Sequence, residues 1–312
     1  MTRLLLVTLA LALTSTFAAS CGVPDSPEEA AKEWLQAVVA QDGLKMDDRT
    51  CSALKDQLRQ DAFWGTALLT LGQNLLGREV KADLSDLNIT TLKSSPDAAR
   101  VRVKARIRAA VGLNVQAEEI NGTWEMIKEN GTWKYCGERT IASADLPELV
   151  LQPNEVSLQK VVSESWDEST LNLGRLEGTE FHGLEGYGPQ AGSRRVYTNA
   201  PVDYTVAVYS FALLFKDSAS ASRAYKYWVD DWRSAFESVP SASVAAVDTL
   251  GDEASAMSFT PYPGLVTQTA YAFAWRQGNV LLLLTCADSS DHPRFTEQEV
   301  RTLADKIQAR AQ

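Results

Sequence analysis

From Ala99 to Ala110 the chain alternates strictly. Val101, Val103, Ala105 and Ile107 are apolar, and Arg100, Arg102, Lys104, Arg106 and Arg108 stand between them. Period two sends the two sets to opposite faces of one extended strand. A stretch like this is a half-buried strand of an antiparallel sheet. Its neighbours carry the same signal: Leu87–Leu92, Val115–Ile127 and Thr132–Cys136 read as strands. Asn130-Gly131 joins the last two as a tight hairpin turn. Helices come before them. Ser26-Pro27-Glu28-Glu29 has a capping serine, a proline at the first helical position and a glutamate at the third. Ala31, Trp34, Leu35 and Val38 then recur at helical spacing until Asp42-Gly43. A second helical pattern covers about 51–76, with Leu54, Leu58, Phe63, Trp64 and Leu68. Helices followed by an antiparallel meander make an α+β arrangement.

This order, ending in Gly131-Thr132-Trp133-Lys134-Tyr135-Cys136-Gly137, resembles the NTF2-like cone fold of many bacterial lipoproteins, over roughly 26–140. The resemblance implies helices covering a curved sheet that often encloses a pocket. The leader points the same way. Arg3 precedes a ten-residue apolar core, Leu4–Leu13, and the small residues Ala18-Ala19-Ser20 run into Cys21. That is a secretory signal peptide, too short for a permanent membrane span. A cysteine directly after the small residues resembles the lipobox of bacterial lipoproteins, with Ala18 where leucine is usual. The resemblance implies that Cys21 becomes the lipidated first residue of a protein on the extracytoplasmic face of the cell membrane. The alternative is ordinary cleavage after Ser20, leaving Cys21 as a free or bridged thiol. Only four residues separate Cys21 from Ser26, a tether of at most about 15–20 Å.

Without residues 1–20, 292 of the 312 remain, more than one compact core usually holds. Leu146–Val156 mixes prolines, acids and isolated apolar residues and is expected as the linker between residues 21–145 and 157–312. In the second half, Asp203–Phe215 reads as a strand buried on both faces, and a helix runs from Asp217 or Ser218 to about Phe236. Strands near Ala254–Phe259, Thr267–Arg276 and Val280–Cys286 follow, with a turn at Gln277-Gly278-Asn279. Thr296 and Glu299 then form a capping box, with Phe295 and Val300 as its staple. The glycine-rich stretch 174–192 is expected as a loop. Gly251-Asp252-Glu253-Ala254, then Arg276 to Val280, then a terminal helix resemble exported sensor and lipoprotein domains in the style of mycobacterial PknH-type kinases. The likeness covers about 200–310 and transfers no catalytic residue; the two motifs read as a turn and a hairpin serving the fold.

Cys51 and Cys136 both fall in the first unit, one flanking a helix and the other ending a strand, and are the expected disulfide. Cys286 ends an apolar run and reads as a buried thiol.

The chain is poor in residues and spacings that carry chemistry. His182 and His292 are the only histidines, and no HExxH, CxxC, GxSxG or P-loop spacing occurs. No catalytic residue, metal ligand or cofactor is nominated. Residues 21–140 hold 16 basic against 18 acidic residues, and 141–312 hold 13 against 22. That acidic second half argues against nucleic acid. The five cations of Arg100–Arg108 have two readings. They face solvent and pair with acids such as Glu118, Glu119 or Glu125, or they form an anion-binding ladder for lipid headgroups or wall polymer. The expected function is non-enzymatic binding or interaction at the membrane, with lipid, polymer or another envelope protein as partner. The alternatives are a small-ligand carrier or sensor using a pocket in the first unit and, third, an NTF2-like enzyme.

Overall fold

The computed structural model describes residues 24, 26–40, 42–55, 80–111, 114–166, 183–200, 203–261, 268–289 and 293–312. The leader, Cys21, His182, His292, the Glu118 side chain and most of the expected helix over 51–76 lie outside the described residues. The fold is α+β and contains two antiparallel sheets.

The first sheet is a meander, β1 (Val80–Ser94), β2 (Ala98–Val111), β3 (Asn114–Glu129) and β4 (Thr132–Glu138), in that spatial order. Asn130 and Gly131 both have positive φ, as a tight hairpin turn requires. Helix α1 (Pro27–Val39) starts at Ser26, whose hydroxyl accepts from the Glu29 amide at 3.2 Å. It lays Ala30, Ala31, Trp34 and Leu35 on the apolar face of β2 to β4, against Val101, Val103, Ala105, Met126 and Trp133. Trp34 meets Trp124 edge-on at 5.3 Å and Tyr135 at 3.9 Å, so aromatic rings fill the space under the helix.

A short helix α2 (Gly43–Asp48), not expected from the sequence, is capped by Asp42. It hands the chain to Arg49–Cys51, which runs alongside β4. The Cys51 amide donates to the Tyr135 carbonyl at 2.8 Å and the Tyr135 amide to the Arg49 carbonyl at 2.9 Å. That pairing brings Cys51 beside Cys136, and the two form the expected disulfide, Cα–Cα 5.2 Å.

The second sheet has seven strands in the order β5-β6-β7-β11-β10-β9-β8. They are β5 (Gln159–Trp166), β6 (Pro189–Ala200), β7 (Asp203–Phe215), β8 (Ser243–Ala246), β9 (Glu253–Phe259), β10 (Thr269–Gln277) and β11 (Val280–Asp288). Both faces are covered. Helix α3 (Ser218–Ala235) packs Ala221, Ala224, Tyr225 and Trp228 on one, against Phe211, Leu213, Leu281 and Leu283. Helix α4 (Glu297–Ala311), started by the Thr296–Glu299 capping box, packs Val300, Leu303 and Ile307 on the other, against Trp275, Leu282 and Leu284. Double coverage explains the unbroken apolar run of β11, in which alternate leucines serve opposite cores. Burying each leucine contributes roughly 1.5–3 kcal/mol.

Two expectations need correction. Residues 146–156 are not an exposed linker: Leu146, Leu149, Val150 and Leu151 are buried on the α4 side of the second sheet, as is Ile141. The isolated apolar residues that suggested a boundary are core contacts of the second unit. Residues 189–192 of the stretch expected as a loop belong to β6, where Gly192 lies close against the Trp166 ring.

Candidate functional site

The polar face of β2, opposite α1, is where the structure places the five cations. Arg100 Nε lies 3.0 Å from Glu125 Oε1, and Arg106 Nη2 lies 2.5 Å from Glu119 Oε1. Both acids sit directly across on β3, as the register Arg100↔Glu125 and Arg106↔Glu119 dictates. Lys104 reaches Asp248 of the second unit at 3.7 Å. Arg102 is half-buried, and its Nε and Nη2 have no hydrogen-bond acceptor. Burial pushes its pKa down, while the negative charge of Asp252 pulls it up. Arg108 alone of the five is exposed with no partner among the described residues. The cations share one strand face but not one role, because the second unit covers part of that face.

The covering contact is made by the two motifs that looked like mere turns. Asp252, whose side chain is 0% exposed, accepts from the Thr123 hydroxyl of β3 at 2.7 Å and from the Gly278 amide at 2.7 Å. Arg276, 3% exposed, lies 3.2 Å from Asp252 and 3.7 Å from Glu253. It also donates to the carbonyls of Gly278 and Asn121. Gln277 donates to Thr123 at 2.9 Å and accepts from Gln308 of α4 at 2.8 Å. Asn279 bonds both the amide and the carbonyl of Ile141, at 2.8 and 3.3 Å. A buried charge is tolerated only when paired and hydrogen-bonded, and this joint meets that condition around Asp252. Gly251 and Gly278 allow it, having positive φ and backbone carbonyls so close that a Cβ would stand 2.3 and 2.4 Å from Arg276 O and Arg139 O.

Beside the joint the two units leave a cleft of about 610 Å³. One wall is the first sheet: Arg106, Glu119, Ile120, Asn121 and Glu138. The other is the start of α3, with Ser218, Ser222, Arg223 and Lys226, and between them lie Glu253 and Arg276. The acids are engaged from within. Glu119 holds Arg106, whose hydrogen bond and charge keep its carboxyl below the usual range. Glu138 accepts from the Ser218 hydroxyl, and Glu253 from Ser222 at 2.9 and 3.0 Å. Arg223 and Lys226, one turn apart on α3, have no carboxylate within ion-pair distance among the described residues; Arg223 donates only to Ser220. The Asn121 side-chain carbonyl is buried without a donor.

Sequence reasoning missed Thr123, Asp252, Arg223 and Lys226. The signal for the last two was present, since both fall on the polar side of an amphipathic helix, but nothing local says what that side faces. Elsewhere, Cys286 is a free buried thiol, pushed far up by burial, and the Tyr135 phenol is pushed far up by burial and the Glu138 charge. No group of three or more potential metal ligands occurs among the described residues.

No family model matches the chain. The mouse mitochondrial tRNA N(3)-cytidine methyltransferase METTL8 is 29% identical over 106 residues, 33% of this chain and 37% of that enzyme's length. Among solved structures, the extracellular domain of PknH from Mycobacterium tuberculosis is similar at 13% identity and a TM-score of 0.40, covering 56% of this chain and 98% of that domain.

Proposed function

We propose that the protein is a lipid-anchored extracytoplasmic binding protein without enzymatic activity, and that its ligand sits in the polar cleft between the two units. The observation that carries this reading is the cleft itself. It has the volume of a small-molecule site, two walls held by a hydrogen-bonded joint, and a lining in which Arg223 and Lys226 have no ion pair among the described residues. Its lining offers charged, amide and hydroxyl groups for recognition, and both hydroxyls are tied to carboxylates. The space under α1, where a carrier pocket was the alternative, holds Trp34, Trp124, Met126 and Tyr135. The disulfide suits an oxidising compartment. No helix of the described residues is long and apolar enough to cross a membrane. In this reading Cys21, directly after the small residues of the leader, carries the attachment.

The test has two arms. Fractionation should find the chain with membranes and Cys21→Ser released or unprocessed; membrane retention of correctly cleaved Cys21→Ser protein overturns the anchor. A thermal-shift screen with small polar molecules should find stabilisers whose effect vanishes in Ser222→Trp, which fills the cleft. Stabilisers that act equally on Ser222→Trp would place the site elsewhere.

A further inference from the structure

We infer that Arg102 is a reserve counter-ion for Asp252: when Arg276 is drawn off that carboxylate, Arg102 takes its place and the two units stay joined. The inference concerns the joint and stands whether or not the cleft takes a ligand. Charges at the joint are unevenly shared. Arg276 holds two carboxylates, Asp252 at 3.2 Å and Glu253 at 3.7 Å. Arg102 holds none, and its Nε and Nη2 are buried without an acceptor. The cations beside it on the same strand face all have partners: Arg100 has Glu125, Lys104 has Asp248 and Arg106 has Glu119. A buried, unpaired guanidinium is costly, and an apolar side chain of similar volume would serve a static joint better. The geometry gives Arg102 a second place. It stands directly across from Thr123 in the β2–β3 register, with Cβ atoms about 5 Å apart. The Thr123 hydroxyl lies 2.7 Å from Asp252 Oδ1. Arginine is long enough to cover that separation by a change of rotamer, without moving the backbone. Burial lowers the Arg102 pKa, and the Asp252 charge already opposes that effect.

The exchange strands no charge. Asp252 keeps the Thr123 hydroxyl and the Gly278 amide, and has Arg102 in place of Arg276. Arg276 keeps Glu253 and the carbonyls of Gly278 and Asn121. Each arginine then has one carboxylate. Arg276 and Glu253 also line the cleft, so the exchange lets that wall rearrange while the Thr123–Asp252 contact holds.

Urea unfolding of the full chain tests the exchange, with Arg102→Met read in three backgrounds. In the parent, Arg102→Met should leave the unfolding constant unchanged or lower it, because no hydrogen bond or ion pair is lost. With Arg276→Gln it should raise that constant by about tenfold or more, because Asp252 then has only Arg102. With Arg276→Gln and Asp252→Asn together it should again change little, since no charge remains for Arg102 to serve. Equal effects in the parent and in Arg276→Gln overturn the inference. So does a loss of about tenfold in the parent, which makes Arg102 a standing partner of the joint. The same loss in the background lacking both charges gives Arg102 another target, and overturns it too. Should Arg276→Gln not fold, Arg276→Lys carries the same comparison, since lysine has no fork to hold Asp252 and the Asn121 carbonyl together. Failure of both backgrounds to fold means that nothing takes over at Asp252, and the inference falls.

Discussion

Asp252→Ala is expected to be among the most damaging single substitutions in this protein. The carboxylate is fully buried and serves two acceptor positions: Oδ1 takes the Thr123 hydroxyl at 2.7 Å, and Oδ2 takes the Gly278 amide at 2.7 Å and Arg276 at 3.2 Å. Removing it leaves the Arg276 guanidinium, 3% exposed, without its nearest counter-charge. Breaking a buried pair from one side costs about 3–5 kcal/mol. Two features hold the figure near the middle of that range. Glu253 stays 3.7 Å from Arg276, and Gln277 still donates to the Thr123 hydroxyl. The expected loss is therefore about 4 kcal/mol, and Asp252→Asn, which keeps the shape and one acceptor, should lose about half of that. Thr123→Val, in the first unit, should cost about 1–2 kcal/mol. Because Asp252 and Thr123 touch across the two units, the double variant should fall short of additivity by about 1 kcal/mol. Urea unfolding followed by tryptophan fluorescence measures all four. Thermal scans should show Asp252→Ala melting roughly 8–16 °C lower. A loss below about 1 kcal/mol for Asp252→Ala, or strict additivity with Thr123→Val, would refute the buried joint as described.

Gly278→Ala should destabilise by more than about 1 kcal/mol, since a side chain must adopt a left-handed backbone and its Cβ would stand 2.4 Å from the Arg139 carbonyl oxygen; unfolding within a few tenths of the parent would refute it. Peptide mapping without reductant should recover Cys51 linked to Cys136 and Cys286 as a thiol that reacts only after unfolding. Replacing both bridged cysteines by alanine should cost at most about 4–5 kcal/mol in the chain-entropy picture, the sequence separation being 85.

Much of the local architecture is legible without coordinates. The alternation around Val101 and Val103, the apolar run of β11, the cap at Ser26 and the box at Thr296 are short-range patterns, and each set its element near the observed place. The disulfide was legible too, because few cysteines were available and two shared the same unit. Periodicity reports which face of an element is apolar, and that is enough to assign strands and helices. It does not report what covers the polar face. The Arg100–Arg108 stripe therefore read either as a solvent-facing row paired with acids such as Glu119 and Glu125 or as an anion-binding ladder. The fold gives Arg106 and Arg100 those two partners on β3. It adds what the pattern did not show, a partner for Lys104 on the second unit and partial burial of Arg102. Residues 146–156 read as a linker because a short 3-10 turn followed by irregular chain has no long period to betray the burial of Leu146, Leu149, Val150 and Leu151. The joint and the cleft depend on contacts such as Thr123–Asp252 and Thr123–Gln277, at separations of 129 and 154 residues. Such polar contacts between distant segments leave no trace in either segment's own pattern. Here the sequence by itself determined the elements and their apolar faces; tertiary packing decided which charges were paired with one another, because partners such as Asp248 and Asp252 come from segments far along the chain.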